Sequence, residues 1–168
     1  MAAQTNYSFS TPKGIPGGLY DISDHEVNTR MNEEPDGKLS FGVGVVRGTS
    51  AGVTIKLPVA ASTAAEFEGI TINGVNVEQD MSGKVIVKKD VSVGVIRYGK
   101  VWAKVSGKAT GVKYGDPLYL IVDGDEAGRF VNAAAAGEDT ATRISIKGSF
   151  LGEADNGIAP VLLPNEIN

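Results

Sequence analysis

The chain has no cysteine among its 168 residues. That excludes a disulfide framework and a thiolate metal site, and it suits a protein made in a reducing cytoplasm. It has one histidine, His25, where a transition-metal centre usually wants two or more converging imidazoles or thiolates. No stretch approaches the roughly 18 consecutive apolar residues that span a membrane, so no membrane partner is expected. The first residues, MAAQTNYSFSTPKG, hold no apolar run and no basic n-region, so no signal peptide is expected either. Glycine, by contrast, is abundant at 22 residues, with 7 prolines. That balance favours turns and sheet over helix.

Residues 1–38 are poor in large apolar side chains and are punctuated by Pro12, Gly14, Pro16, Gly17, Gly18, Pro35 and Gly37. They read as an extended N-terminal arm, and residues 39–168 as one β-rich domain long enough to bury a core. LSFGVGVVR alternates at Leu39, Phe41, Val43 and Val45 and is the first strand expected. VTIKL, KVIVKK, LYLIV, TRISIKGSFL and IAPVLL read as further short strands, with GTSAG, GDP and DGDEAG as turns. VAASTAAEFEG is the best helical candidate, one or two turns long; Thr63 and Glu66 have capping-box spacing and Gly69 can end it. Asn73-Gly74 predicts a hairpin turn, because both residues tolerate positive φ. The class expected is all-β: a small barrel or sandwich of short antiparallel strands with an extended arm and at most one short helix.

The formal net charge of −4 hides a segregation of charge. Residues 1–38 carry six acids and three bases, residues 84–113 eight bases and one acid, and residues 114–168 nine acids and three bases. One basic segment in an acidic chain suggests a local contact surface rather than general nucleic-acid affinity. Within it, KKDVSVGVIRYGKVWAKVSGK places apolar residues at 91, 93, 95, 101, 103 and 105 and lysines at 100, 104 and 108. The pattern predicts a hairpin with an Arg97-Tyr98-Gly99 loop and Gly99 left-handed, pairing Val95 with Val101 and Val93 with Ala103. A two-residue loop would pair valines with lysines and is rejected. Trp102 then shares a face with Lys100 and Lys104. A tryptophan there is either covered by a second layer of its own chain or anchors a partner. The residues expected at a partner interface are Tyr98, Lys100, Trp102 and Lys104 on this hairpin, with Pro12, Pro16 and Tyr20 on the arm. A solvated lysine face is the plainer reading of the same pattern.

The motifs that could carry chemistry fail on their context. GTSAG, residues 48–52, has the nucleophile-elbow spacing, but a strand follows where the elbow needs a helix, and His25 precedes the serine. DGDEAG begins like a calcium loop, yet its twelfth position is Ala134 in place of a bidentate glutamate. GKAT lacks the upstream glycine of a phosphate loop, since that position is Trp102. No catalytic residue, cofactor site or metal site is expected. A small ligand-binding β-barrel would want an interior pocket, and these strands offer small, packing-type valines instead.

Several stretches taken in order carry a resemblance: GGLYDISDHEVNTRMNEE (17–34), LSFGVGVV (39–46), FEGITI (67–72), VSVGVIRYGKVWAKVSG (91–107) and VKYGDPLYL (112–120). Together the chain resembles the phage capsid cement, or decoration, proteins of the structural cement type. Ser40 stands where members of that family often place proline before Phe-Gly. The resemblance implies a non-enzymatic β-rich protein of the virion that binds the outer capsid surface. Its partners would be the major capsid protein and itself, as a homotrimer, with no nucleic acid and no cofactor. It would clamp neighbouring shell subunits against internal DNA pressure. Another virion component, such as a tail or baseplate module, is the alternative.

Overall fold

The computed structural model describes residues 13–74, 78, 79, 81, 85–134 and 141–165. Its strands are β1 (Glu26–Asn32), β2 (Gly44–Arg47), β3 (Thr54–Lys56), β4 (Phe67–Thr71), β5 (Glu78–Gln79), β6 (Val85–Ile86), β7 (Ser92–Lys104), β8 (Pro117–Ile121), β9 (Phe130–Val131), β10 (Arg143–Phe150) and β11 (Ile158–Leu163). The only helical turns among the described residues are two three-residue 3-10 turns, Ala64–Glu66 and Gly124–Glu126. Strands β1-β3-β2-β4-β7 close on one another, because β7 also pairs with β1. The second sheet continues from β7 through β11, β10 and β8 to β9. It curls back so far that Phe130 of β9 bridges to Val105, just beyond the end of β7.

The all-β class expected from the sequence is what is found, with one parallel pairing, β1 with β3. The hairpin is not. Ser92–Lys104 is one continuous strand of 13 residues, about 43 Å long at the usual rise per residue. Its first half pairs with β1 and β4, and its second half, Gly99–Lys104, pairs with β11. Gly99 does have positive φ, +122°, but it turns a corner between two sheets rather than reversing the chain. The β1–β7 register shifts at the same place, between Glu26 and Val27. A bulge of this kind lets one strand leave one sheet and enter another. It also shifts side-chain parity by one. Val93 and Val95 enter one hydrophobic cluster, with Leu39, Phe41, Val43, Val45 and Ile55. Ile96, Val101 and Ala103 enter the other, with Ile70, Leu118, Phe130, Phe150 and Val161. Odd-numbered valines on both sides of Gly99 thus serve two cores, where a hairpin would have set them on one face.

Other expectations are corrected in the same way. Glu26–Asn32 lies inside the stretch read as an arm, yet it is a barrel strand. Its composition is polar, and what holds it is the backbone ladder on both sides, to β3 and β7. Buried Asn32 fixes its end: Nδ2 donates to the Lys88 carbonyl at 2.9 Å, and Oδ1 accepts the Glu34 N–H at 2.9 Å. In LSFGVGVVR only Gly44–Arg47 is strand, though Leu39, Phe41, Val43 and Val45 are all buried together as their alternation requires. The helix shrinks to a single turn, with the Thr63 N–H donating to the Glu66 carboxylate at 2.8 Å. Gly69 does not end it. It lies within β4 at φ +140°, where a Cβ would meet the Ile96 carbonyl oxygen at 2.1 Å. The hairpin expected at Asn73-Gly74 would return through residues 75–77, which lie outside the described residues; past them, β5 pairs with β6.

Candidate partner interface

The second half of β7 has one edge against β11. The other edge is taken by residues 17–20 of the arm. Gly17 N–H donates to the Trp102 carbonyl at 2.8 Å, Trp102 N–H to the Gly18 carbonyl at 2.9 Å, and Tyr20 N–H to the Lys100 carbonyl at 3.0 Å. The arm is tied on its far side as well, where Asn73 N–H donates to the Gly17 carbonyl at 2.8 Å. Glycine makes this approach possible. A Cβ on Gly14 would lie 2.2 Å from Trp102 Cε2, so the indole occupies the space a side chain would need. Gly17 turns at φ +76° against the Asn73 and Thr71 backbone. Tyr20 covers the indole from the side, with ring centroids 5.5 Å apart at a tilt of 56°. Trp102 is left only 8% exposed. Of the two roles open to it on sequence grounds, the structure shows burial beneath its own chain.

One lysine of β7, Lys100, meets an acid of the arm, and Lys104 meets a serine beyond it. Lys100 Nζ lies 2.6 Å from Asp21 Oδ2, and Lys104 Nζ donates to Ser40 Oγ at 2.9 Å. The Tyr98 hydroxyl donates to Asp24 Oδ2 at 3.4 Å. Asp21 also accepts the Ser23 N–H at 3.0 Å, together with the Ser23 hydroxyl. The Lys100 ammonium, and then Ser23, hold the Asp21 carboxyl down at about 2. Tyr98 is pushed up, first by desolvation and then by the Asp24 charge. Part of the charge segregation along the sequence is therefore an internal complementarity, an acidic arm lying on a basic strand.

Of the residues expected at the interface, Pro16, Tyr20, Tyr98, Lys100, Trp102 and Lys104 are gathered along the second half of β7 and its arm. Pro12 lies outside the described residues. What the sequence reading missed is that Tyr20 has apolar neighbours on the outer side of the arm: Ile15, Leu19 and Ile22 are 54%, 42% and 101% exposed beside Tyr20 at 44%. Large apolar residues in an otherwise polar, Pro/Gly-spaced segment were the available signal. Exposed apolar side chains grouped this closely mark contact surfaces more often than scattered ones do.

The motifs weighed for chemistry are engaged structurally. In GTSAG, the Ser50 carbonyl accepts the Thr54 N–H at 2.9 Å, forming a turn. His25 Nδ1 lies 2.8 Å from the Ser23 carbonyl. In DGDEAG, Asp123 accepts the Thr142 N–H at 3.0 Å, and Glu126 accepts the Ser106 hydroxyl at 2.6 Å and Arg129 at 3.2 Å. Among the described residues no three carboxylate or imidazole side chains converge as metal ligands would. A cleft of about 740 Å³ lies between the barrel and the second sheet.

Residues 3–163 match the model of the structural cement protein family (E217 gp24/Pam3 gp6). The chain belongs to the phage structural cement family. Membership of this family makes it a structural component of the virion. No curated protein matches it. Among solved structures, a chain from the capsid of Myoviridae phage XM1 shares the cement fold, with a TM-score of 0.72 at 22% identity, over 98% of this chain and 99% of that one. At that identity the likeness is one of fold.

Proposed function

We propose that this cement protein is a non-enzymatic clamp on the outside of an assembled phage capsid. It is made in the host cytoplasm and joins neighbouring major capsid protein subunits as a homotrimer. The observation that carries the reading is the arm: four large apolar side chains exposed within residues 15–22, on a backbone already hydrogen-bonded to β7. A surface ordered before docking loses little entropy on docking. Trp102 supports this patch from beneath, and Tyr98, Lys100 and Lys104 frame it. Each contact is weak, and the trimer sums them by multivalency.

The test uses undecorated shells. Leu19→Ser with Ile22→Ser should leave the melting temperature unchanged, because both side chains are exposed, and should lower shell affinity at least tenfold. Wild-type affinity in the double variant would refute the arm as the contact. Native mass spectrometry of the free protein should give three copies; a monomer that stays monomeric on the shell would refute the trimer.

A further inference from the structure

We propose that the cleft between the barrel and the second sheet receives an extended segment of the shell subunit, added as a strand to the edge of β10 that is open among the described residues. The inference rests on the capsid-binding reading above. β10 is eight residues long, but β11 pairs only with its C-terminal end, at Ser149 and Phe150. β8 runs along the opposite edge, from Arg143 to Ile146. Val122 N–H donates to the Thr142 carbonyl at 3.0 Å. In an antiparallel ladder alternate residues face alternate edges, so Ile144 and Ile146 serve β8 while Ser145 turns its N–H and C=O toward the cleft. β11 has ended at Leu163 before it reaches that level, and Pro164 has no N–H to offer. On the facing wall the small side chains of Ala64 and Ala65 leave the space open. A volume of about 740 Å³ falls in the range of clefts that hold a ligand. An open edge beside free space is the geometry that strand addition uses.

Charge specifies the incoming segment. Arg97 lines the cleft, is exposed, and makes no ion pair among the described residues. Arg47 is half-exposed, with Nε 3.1 Å from Glu68 and Nη2 donating to the Ala65 carbonyl at 2.8 Å. Glu68 is already held between Arg47 and Arg30, and Glu26 accepts from Asn28 at 2.8 Å. The lining carries three cationic side chains, Arg47, Arg97 and Lys147, against two carboxylates, Glu26 and Glu68, so the segment that fits is extended and carries a carboxylate beside Arg97.

The experiment compares wild type, Ser145→Pro and Arg97→Glu on undecorated shells. Proline at an edge position whose N–H is outside the ladder is tolerated. Ser145→Pro should therefore melt near wild type and bind shells at least tenfold more weakly. Arg97→Glu should weaken binding several-fold without changing the fold, and serves alone if the proline variant does not fold. Because the chain has no other thiol, Ser145→Cys can carry a photo-crosslinker, and on shells it should capture the shell subunit. Wild-type affinity in Arg97→Glu, or capture of a second copy of this chain without shells, overturns the inference. Failure of the wild type to bind shells would instead refute the capsid-binding reading itself.

Discussion

At the scale of single residues, the arm is held by a packing contact and a charge contact that can be tested separately. The packing contact is Trp102 on Gly14. Gly14 has ordinary backbone geometry, so its need for glycine is steric: the Trp102 ring atoms stand 2.2–2.5 Å from where a Cβ would be. Gly14→Ala should displace the indole or lift the arm, at a cost of about 1–3 kcal/mol, as overpacking usually does. Trp102 is the chain's single tryptophan, so its emission should shift to the red as the melting temperature falls. Unchanged emission and stability would show that the arm does not lie on the ring. The charge contact is Asp21 with Lys100. The Asp21 carboxyl, ordinarily near 3.8, stands at about 2 in the folded arm. A carboxylate lowered on folding stabilises above its unfolded value and stops doing so as pH falls through the folded one. The contribution is therefore complete above about 3.8 and is lost between there and about 2. Acid titration should report the arm loosening in that window through Trp102 emission. Asp21→Asn should remove the window, and a titration with the same midpoint in that variant would exclude Asp21 as its source.

At the scale of elements, β7 decides the architecture, and its corner is the place to break it. Gly99→Val forces a branched side chain to φ +122°, with its Cβ 2.6 Å from His25 Cβ. Positive φ alone costs about 1–2 kcal/mol. Gly107→Val is the control, since nothing lies within 4 Å of a Cβ there. The first variant should melt well below wild type and the second close to it; equal melting would remove the corner. The same element shows how far the sequence could be read. The positive φ at Gly99 was legible, because Gly99 is the one residue in RYGK that adopts it freely. The direction of the chain after it was not. A three-residue hairpin loop and a one-residue bulge both leave the valines on odd numbers, and only the partners, β1 and β4 before the glycine and β11 after it, tell them apart. β1 was hidden for a different reason: EVNTRMN offers only Val27 and Met31 as apolar residues, too few for a firm alternation, and a strand ladder needs only backbone. The residues expected at an interface were largely legible as neighbours, from one tryptophan among lysines and an acidic arm, but whether the indole faced in or out depended on what covered it. The cover is a run of glycines, which packing makes necessary and composition alone does not explain.

At the scale of the whole molecule, two hydrophobic clusters share one strand. Val95 belongs to one and its neighbour Ile96 to the other, so the two lie on opposite faces of the same backbone. Neither sheet can lose β7 and remain intact. The barrel would lose the strand that closes it onto β1 and β4, and the second sheet would lose the partner of β11. Such coupling predicts a single cooperative unfolding transition despite the two cores. Val45 and Phe150 are both fully buried, one in each cluster. Truncating a buried phenylalanine to alanine typically costs about 3–5 kcal/mol, and smaller buried residues cost less. Val45→Ala and Phe150→Ala should therefore lower the same transition, Phe150→Ala by more, with calorimetric and van't Hoff enthalpies staying equal. Had the sheets been independent, each variant would split the melt and leave the other half at the wild-type temperature. A split melt would mean that β7 can be released from one sheet while held by the other. For a protein proposed to clamp a shell under internal pressure, that would be a mechanical failure point, because load applied through the arm on β7 would separate the sheets before it reached both cores.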